Sequence, residues 1–176
     1  MTPDTTAIVI DTPRLALREF TEQDAPFVLR LLNEPSFHEF IGDRRVRTLD
    51  DARRYLREGP MASYSRHGHG LLRVALRSDQ TVVGMCGLVR RDTLPLPDLG
   101  FALLPVGWGA GIATEAGRAV LAHSRDALGL TEVLAITSPD NTRSMRVLAK
   151  LDMALEDCRP LAEGAAAVNV FRASLP

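Results

Sequence analysis

LGFALLPVGWGAGIATEA, residues 99–116, is the stretch whose reading decides the fold: an apolar strand-like run meets Pro105, then Gly107, Gly109 and Gly111, and opens directly into a helix. Glycines leave backbone N–H groups uncovered by side chains, and the first turn of a helix carries N–H donors with no internal partner. Together they make a seat for an anion, to which the helix dipole adds about 0.3–1 kcal/mol per favourable charge. A Walker A loop needs a lysine followed by Ser or Thr after the glycines, and no lysine follows Gly111. A dinucleotide fingerprint read from Gly109 meets Thr114 where its third glycine belongs, and no early strand–helix–strand unit surrounds it. The plain alternative is a glycine-rich surface turn with no ligand.

Working outward, the 176 residues suffice for one hydrophobic core, and no linker divides them, so a single domain over 1–176 is expected. A net charge of −1 provides no basic field for nucleic acid or an anionic membrane. The longest uncharged run, 99–114, is interrupted by Pro105 and three glycines and falls short of the ~20 residues that span a bilayer. The N-terminus holds Asp4 and Asp11 and no basic stretch before an apolar core, so no secretory signal and a cytoplasmic location are expected. Cys86 and Cys158 form no C-x-x-C pair, and each sits in a strand-like stretch that suits a small buried thiol. His67 and His69, in a segment up to Gly70 that reads as a short helix or a loop near the substrate, lack a third ligand at a recognisable spacing and read as solvated residues, so no metal is expected.

The chain on either side supplies a strand, two helices, three antiparallel strands, a helix, a strand, a helix and two strands. RLALREF (14–20) alternates with period two, as a half-buried strand does. Thr21 with Asp24, and Thr48 with Asp51, open the first two helices as capping boxes; Pro35 is expected to end the first and Gly59-Pro60 the second. Residues 71–77 and 81–90 form a hairpin around Ser78-Asp79-Gln80, and a second hairpin leads into the strand that begins at Asp98. Gly84 and Gly87 weaken the strand between them unless a close backbone approach requires them. Gly129 ends the helix after the glycine turn; 132–138 is a strand, and Asn141 or Asp140 caps a helix over 142–151. Strands near 154–159 and 167–173 close the chain. Strand–helix–strand steps demand a parallel crossover and hairpins demand antiparallel neighbours. The expected fold is therefore α+β, a mostly antiparallel twisted mixed sheet of about six or seven strands flanked by about four helices.

With that order in place, GWGAGIATEA from Gly107 resembles the acetyl-CoA pyrophosphate loop of the GNAT N-acetyltransferase superfamily. SPDNTRSMRVLAKLDM (138–153) resembles the strand–Asn–helix element which that family sets beside the thioester, and TPRLALREFTEQDA (12–25) is similar to the opening of its RimJ/RimL-like branch. The likeness spans nearly the whole chain. It departs at Val106, where the family's loop usually has Arg or Gln, and at Asp152-Met153, where Gly-Phe is common.

The resemblance implies acetyl-CoA as co-substrate, an amine acceptor and a monomer or homodimer. The pantetheine arm would run along Phe101, Ala102, Leu103 and Leu104 as an extra strand, so the sheet must open there. The amides of Gly109, Ala110, Gly111, Ile112, Ala113 and Thr114 would hold the pyrophosphate, and Asn141 would contact the pantetheine or the leaving sulfur. Acetyl transfer needs a neutral amine, a stabilised oxyanion and a proton for the departing thiolate. A backbone N–H at Leu103 or Leu104 is the expected oxyanion donor. An α-amine of pKa ~8 is partly neutral at pH 7, whereas a lysine amine of pKa ~10.4 is not, so the demand for a base depends on the acceptor. Asp98 stands where the branch often has a Glu facing the amine; it acts directly or through water, or is a solvated strand-end carboxylate. Many family members protonate the thiolate from a tyrosine after the Asn, but the only tyrosines here are Tyr55 and Tyr64. Ser144, one turn beyond Asn141, resembles the serine near the sulfur in the Rim-type branch; otherwise it is an early-helix serine bonding backbone. Arg143, Arg146 and Lys150 either reach the adenosine phosphates or face water. A non-catalytic acyl-CoA sensor on the same fold would keep the loop and lose the proton-transfer groups.

Overall fold

Period-two apolar runs give strands, and among the described residues every strand joins one sheet. The computed structural model describes residues 8–176, so Asp4 and the rest of the signal reading at the extreme N-terminus lie outside the described residues. Strands β1 (Ile8–Asp11), β2 (Leu15–Glu19), β3 (Leu71–Leu76), β4 (Val82–Val89), β5 (Asp98–Leu103), β6 (Glu132–Thr137), β7 (Ala154–Pro160) and β8 (Ala167–Ser174) stand in the order β1-β2-β3-β4-β5-β6-β8-β7. All neighbours are antiparallel except β5 and β6, which are parallel because the helix 112–126 intervenes between them. The eight strands exceed the six or seven expected. The extra one is β1, a four-residue edge strand too short to show clear alternation; it pairs with β2 and buries Ile10.

The described residues also hold six helices where about four are expected: α1 (Ala25–Leu32), α2 (Pro35–Phe40), α3 (Leu49–Leu56), α4 (Ala62–His67), α5 (Ile112–Asp126) and α6 (Thr142–Lys150). Both capping boxes form. Asp24 accepts from the Thr21 N–H at 2.9 Å, and the Asp51 N–H donates to Thr48 Oγ1 at 3.1 Å. Pro35 does not end α1, which stops at Asn33; it starts α2, because a proline in the first helical turn forfeits no hydrogen bond. Gly59-Pro60 likewise does not end α3. A π-helical turn, Arg57–Met61, absorbs Pro60 and carries the chain into α4, which Gly68 terminates at φ +71°. None of the helices is long and apolar enough to cross a membrane.

Side chains alternate across the sheet and build two layers of core. Leu15, Leu17, Val74, Val83 and Val133 pack with Ile112, Ala116 and Val120 under α5 and α6. Val28, Leu31, Leu32 and Leu56 pack with Met85 and Leu104 on the face covered by α1–α4. Each fully buried Leu or Val contributes about 1.5–3 kcal/mol.

Gly84 and Gly87 are explained by close approach. A Cβ on Gly87 would lie 2.2 Å from the Gly70 carbonyl oxygen and 2.8 Å from the Leu71 Cα, and backbone cannot swing aside. Gly87→Ala is expected to destabilise the fold by about 1–3 kcal/mol through overpacking. Urea unfolding should show a lower midpoint at unchanged slope; a midpoint equal to the parent's would refute the assignment.

Candidate active site

The sheet splits between β5 and β6. Only Asp98 and Leu134 are in register there, with the Leu134 N–H donating to the Pro97 carbonyl at 3.0 Å. On its other side β5 is paired with β4 throughout, from Gly84↔Leu103 to Val89↔Asp98. The Leu104 N–H donates to the Val83 carbonyl at 2.8 Å, which fixes the alternation of the antiparallel ladder. Ala102 and Leu104 bond to β4, and the main-chain groups of Phe101 and Leu103 face the gap. The Leu103 carbonyl accepts from the Trp108 indole N–H at 3.1 Å. Of the two N–H groups named as oxyanion donors, Leu104's is therefore already engaged and Leu103's faces the opening.

The glycine turn stands at the mouth of this gap. Gly109 and Gly111 both take φ +75°, and Gly111 is the N-cap of α5. The N–H groups of Gly109, Ala110 and Gly111 reach no backbone carbonyl among the described residues, and those of Ile112, Ala113 and Thr114 occupy the unpaired first turn. Successive free N–H groups of this kind form an anion-binding concavity. Val106 is 70% exposed and contributes no polar group. A cation arrives from elsewhere: the Arg143 guanidinium of α6 lies 3.9 Å over the Trp108 ring, so Arg143 is not merely turned to water.

A clamp that the sequence reading missed holds the turn in place. Glu115 accepts from Thr12 Oγ1 at 2.7 Å and from Arg14 Nε at 2.5 Å, while Arg14 Nη1 donates to the Ala110 carbonyl at 2.8 Å. The β1–β2 connection is thus tied to the first turn of α5. Burial pushes the Glu115 carboxyl up, but the bonds from Thr12 and Arg14 outweigh it and leave the group below its ordinary range. The acid in the helix's first turn was the available signal; its partners, some hundred residues earlier, had none. Glu115→Ala is expected to weaken binding of a diphosphate-bearing ligand at this turn several-fold, read by calorimetry, because the freed loop must be ordered on binding. Unchanged affinity would show that the loop holds its shape without the clamp.

At the end of β6 the chain turns into α6. Asn141, not Asp140, is the cap: its Oδ1 accepts from the Ser144 N–H at 3.1 Å, which leaves its NH2 as a donor. Asp140 instead accepts from the Ser138 hydroxyl. Ser144 is half-buried, and both it and Asn141 line the cavity described below.

Asp98 shares the parity of Ala102 and Leu104 and so faces α1–α4, opposite the glycine turn. It is 1% exposed, which excludes the solvated strand-end alternative. Its Oδ1 accepts from Arg91 Nε at 2.9 Å, and its Oδ2 is buried with no partner among the described residues. Burial raises its pKa above the ordinary carboxylate value against the opposing pull of Arg91. Tyr64 is committed to structure: its hydroxyl donates to the Leu71 carbonyl and accepts from the Phe20 N–H. Of the short helix and the loop that the segment before Gly70 allowed, the helix forms: His67 ends α4, and its ring stacks on that of His69 at 5.8 Å. Cys86 is buried, with its thiol pushed up to about 12 by desolvation, whereas Cys158 is exposed, contrary to expectation, because β7 is an edge strand.

One cavity of about 1120 Å³ joins these groups. It takes in the glycine turn, Asn141 and Ser144 on the α5–α6 face, passes β5, and continues past Asp98 to Tyr55 and Phe37 on the α1–α4 face. Phe37, Tyr55 and the arginines around them were not singled out from sequence, since nothing local distinguishes a pocket wall from a core.

A family model described as "Acetyltransferase (GNAT) domain" matches residues 14–154. YoaA of Bacillus subtilis, described as an uncharacterised N-acetyltransferase, is 23% identical over 145 residues, 81% of each chain. The crystal structure of an acetyltransferase from Agrobacterium tumefaciens str. C58 superposes with a TM-score of 0.78 at 25% identity, covering 93% of this chain and 92% of that one. RimL, the ribosomal L7/L12 alpha-N-protein acetyltransferase in complex with coenzyme A, gives 0.81 at 18% identity over 96% and 98%, a likeness of fold. A split sheet with an anion-binding turn at its mouth, and a family match across most of the chain, identify this protein as an acetyltransferase of the GNAT family.

Proposed function

We propose that the protein transfers the acetyl group of acetyl-CoA to a primary amine by direct attack in a ternary complex. The observation that carries this reading is the continuity of the cavity through the split sheet, with diphosphate-type donors at one end and a buried carboxylate at the other. The free N–H groups from Gly109 to Thr114 hold the diphosphate, and the gap-facing groups of Phe101 and Leu103 pair with the pantetheine amides as a missing strand would. The thioester carbonyl then lies toward the Asp98 end of the gap, against the gap-facing Phe101 N–H, a donor of the kind worth ~10²–10³ in rate; Leu103, at the turn end of β5, is too far along the strand from Asp98 for this role.

The acceptor enters from the α1–α4 face. Asp98 takes a proton from the ammonium, directly or through a water, and the amine nitrogen attacks the thioester carbon. The nitrogen of the tetrahedral intermediate gives up its second proton to water, the carbon–sulfur bond breaks, the thiolate leaves with a hydrogen bond from Ser144 or the Asn141 NH2, and Asp98 returns the first proton to solvent. A carboxylate with a raised pKa is a stronger base than an ordinary one, which suits it to an amine. These groups all lie on one sheet and the helices packed on it, which supports reading the chain as a single domain.

Purified protein mixed with acetyl-CoA and a panel of α-amino peptides, polyamines, amino acids and aminoglycosides should release free thiol with at least one acceptor class. Trp108 is the only tryptophan, so its fluorescence reports coenzyme A at the turn independently of turnover. Binding without thiol release across the panel would favour a sensor; no binding at all would overturn the reading.

A further inference from the structure

Two buried side-chain oxygens on the cavity wall have no hydrogen-bond partner among the described residues: Asp98 Oδ2, treated above, and Thr137 Oγ1. Thr137 is the last residue of β6 and is 6% exposed. A buried unpaired hydroxyl is costly, and valine has the same shape and an equal liking for strands, so packing alone would favour Val there. None of the polar groups nearby is bonded to it. Asn169, its register partner on β8, donates to Met145 Sδ at 3.3 Å, and the Ser138 hydroxyl donates to Asp140.

Position gives the hydroxyl a use. Asp98↔Leu134 is the one in-register pair of β5 and β6, so three residues further along both parallel strands Thr137 stands across the gap from Phe101. Thr137 has the parity of Val133 and Ala135, which belong to the core beneath α5 and α6, and it lies four residues before Asn141. It is therefore on the glycine-turn face of the split, opposite the free main-chain edge of β5.

Resting on the acetyl-CoA reading, we infer that the Thr137 hydroxyl hydrogen-bonds the pantetheine–thioester segment and positions it against β5. It is a positioning residue, with no proton to transfer.

The test compares Thr137→Val and Thr137→Ser with the parent, by calorimetric titration of coenzyme A and thermal unfolding of the free proteins. Thr137→Val should weaken coenzyme A binding about 5- to 10-fold, the size of one hydrogen bond, with a Tm in the free state no lower than the parent's, since an orphaned hydroxyl has been removed. Thr137→Ser should keep the parent affinity. Parent-like affinity in Thr137→Val overturns the inference and leaves the acetyl-CoA reading intact. A weakening shared by Thr137→Ser, together with a lowered Tm in both variants, also overturns it by assigning the effect to packing. If the parent itself binds no coenzyme A, the acetyl-CoA reading fails and this inference with it.

Discussion

Asp98→Asn is expected to lower kcat by about 10²–10³, within the range of a general base, while the affinity for coenzyme A stays at the parent value. The two readouts separate because Asp98 faces α1–α4, whereas the turn and gap proposed for the diphosphate and pantetheine lie on the other side of β5. The parent's kcat/KM should rise with pH through an apparent pKa above the ordinary carboxylate range, since burial raises it; the variant should lose that limb. The deficit should be larger for a lysine-type amine, pKa ~10.4, than for an α-amine of pKa ~8, because the second is partly neutral without help.

Stability should move the other way. A group whose folded pKa is raised contributes stability that is complete below the unfolded value and is lost as pH rises through the folded one. Near neutrality the parent bears the cost of a buried carboxylate that Asn avoids, and Arg91, 32% exposed at its side chain, can be hydrated once its partner is neutral. Thermal unfolding of Asp98→Asn should therefore depend less on pH across that window. Parent-like kcat at every pH, with well-folded variant protein, would remove Asp98 from the chemistry.

How much of this was legible beforehand depended on whether the signal was local. Capping boxes at Thr21 and Thr48, the hairpin at Ser78-Asp79-Gln80 and the αL glycines 109, 111 and 129 are encoded within a few residues of where they act, and they appear where the sequence puts them. The glycine turn was read for the same reason. Pro35 and Pro60 misled because a proline fits the first turn of a helix or a π-turn as well as it ends a helix, and only the packing of the flanking turns chooses. The burial of Asp98, the clamp from Arg14 to Glu115 and the engagement of Leu104 by Val83 are tertiary facts. Each joins residues that the chain keeps apart until the sheet order is known. The acceptor end of the cavity is of this kind throughout, which is why the amine's identity was not readable from local pattern.

The turn itself offers the sharpest perturbation. Gly111→Val is expected to weaken acetyl-CoA binding by at least ~100-fold. Space is not the obstacle: the nearest atom to a Cβ there is Arg14 Nη2 at 3.5 Å, an ordinary contact. The obstacle is φ +75°, which costs a side-chain-bearing residue about 1–2 kcal/mol and a β-branched one more. Relief comes by rotating φ negative, which turns the N–H groups at the start of α5 away from a common centre. Hydrogen bonds to a charged group are worth about 1.5–3 kcal/mol each, so losing two of them accounts for a hundredfold or more. Gly109→Val, at the same φ and with no atom within 4 Å of its Cβ, should behave alike. Acetylpantetheine lacks the diphosphate and isolates the cause: parent and variant should use it equally slowly, since only contacts to the missing group have changed. If Gly111→Val instead loses acetylpantetheine and acetyl-CoA turnover in the same proportion, the substitution has disturbed the gap or the thioester end, and the turn is not where the diphosphate is held.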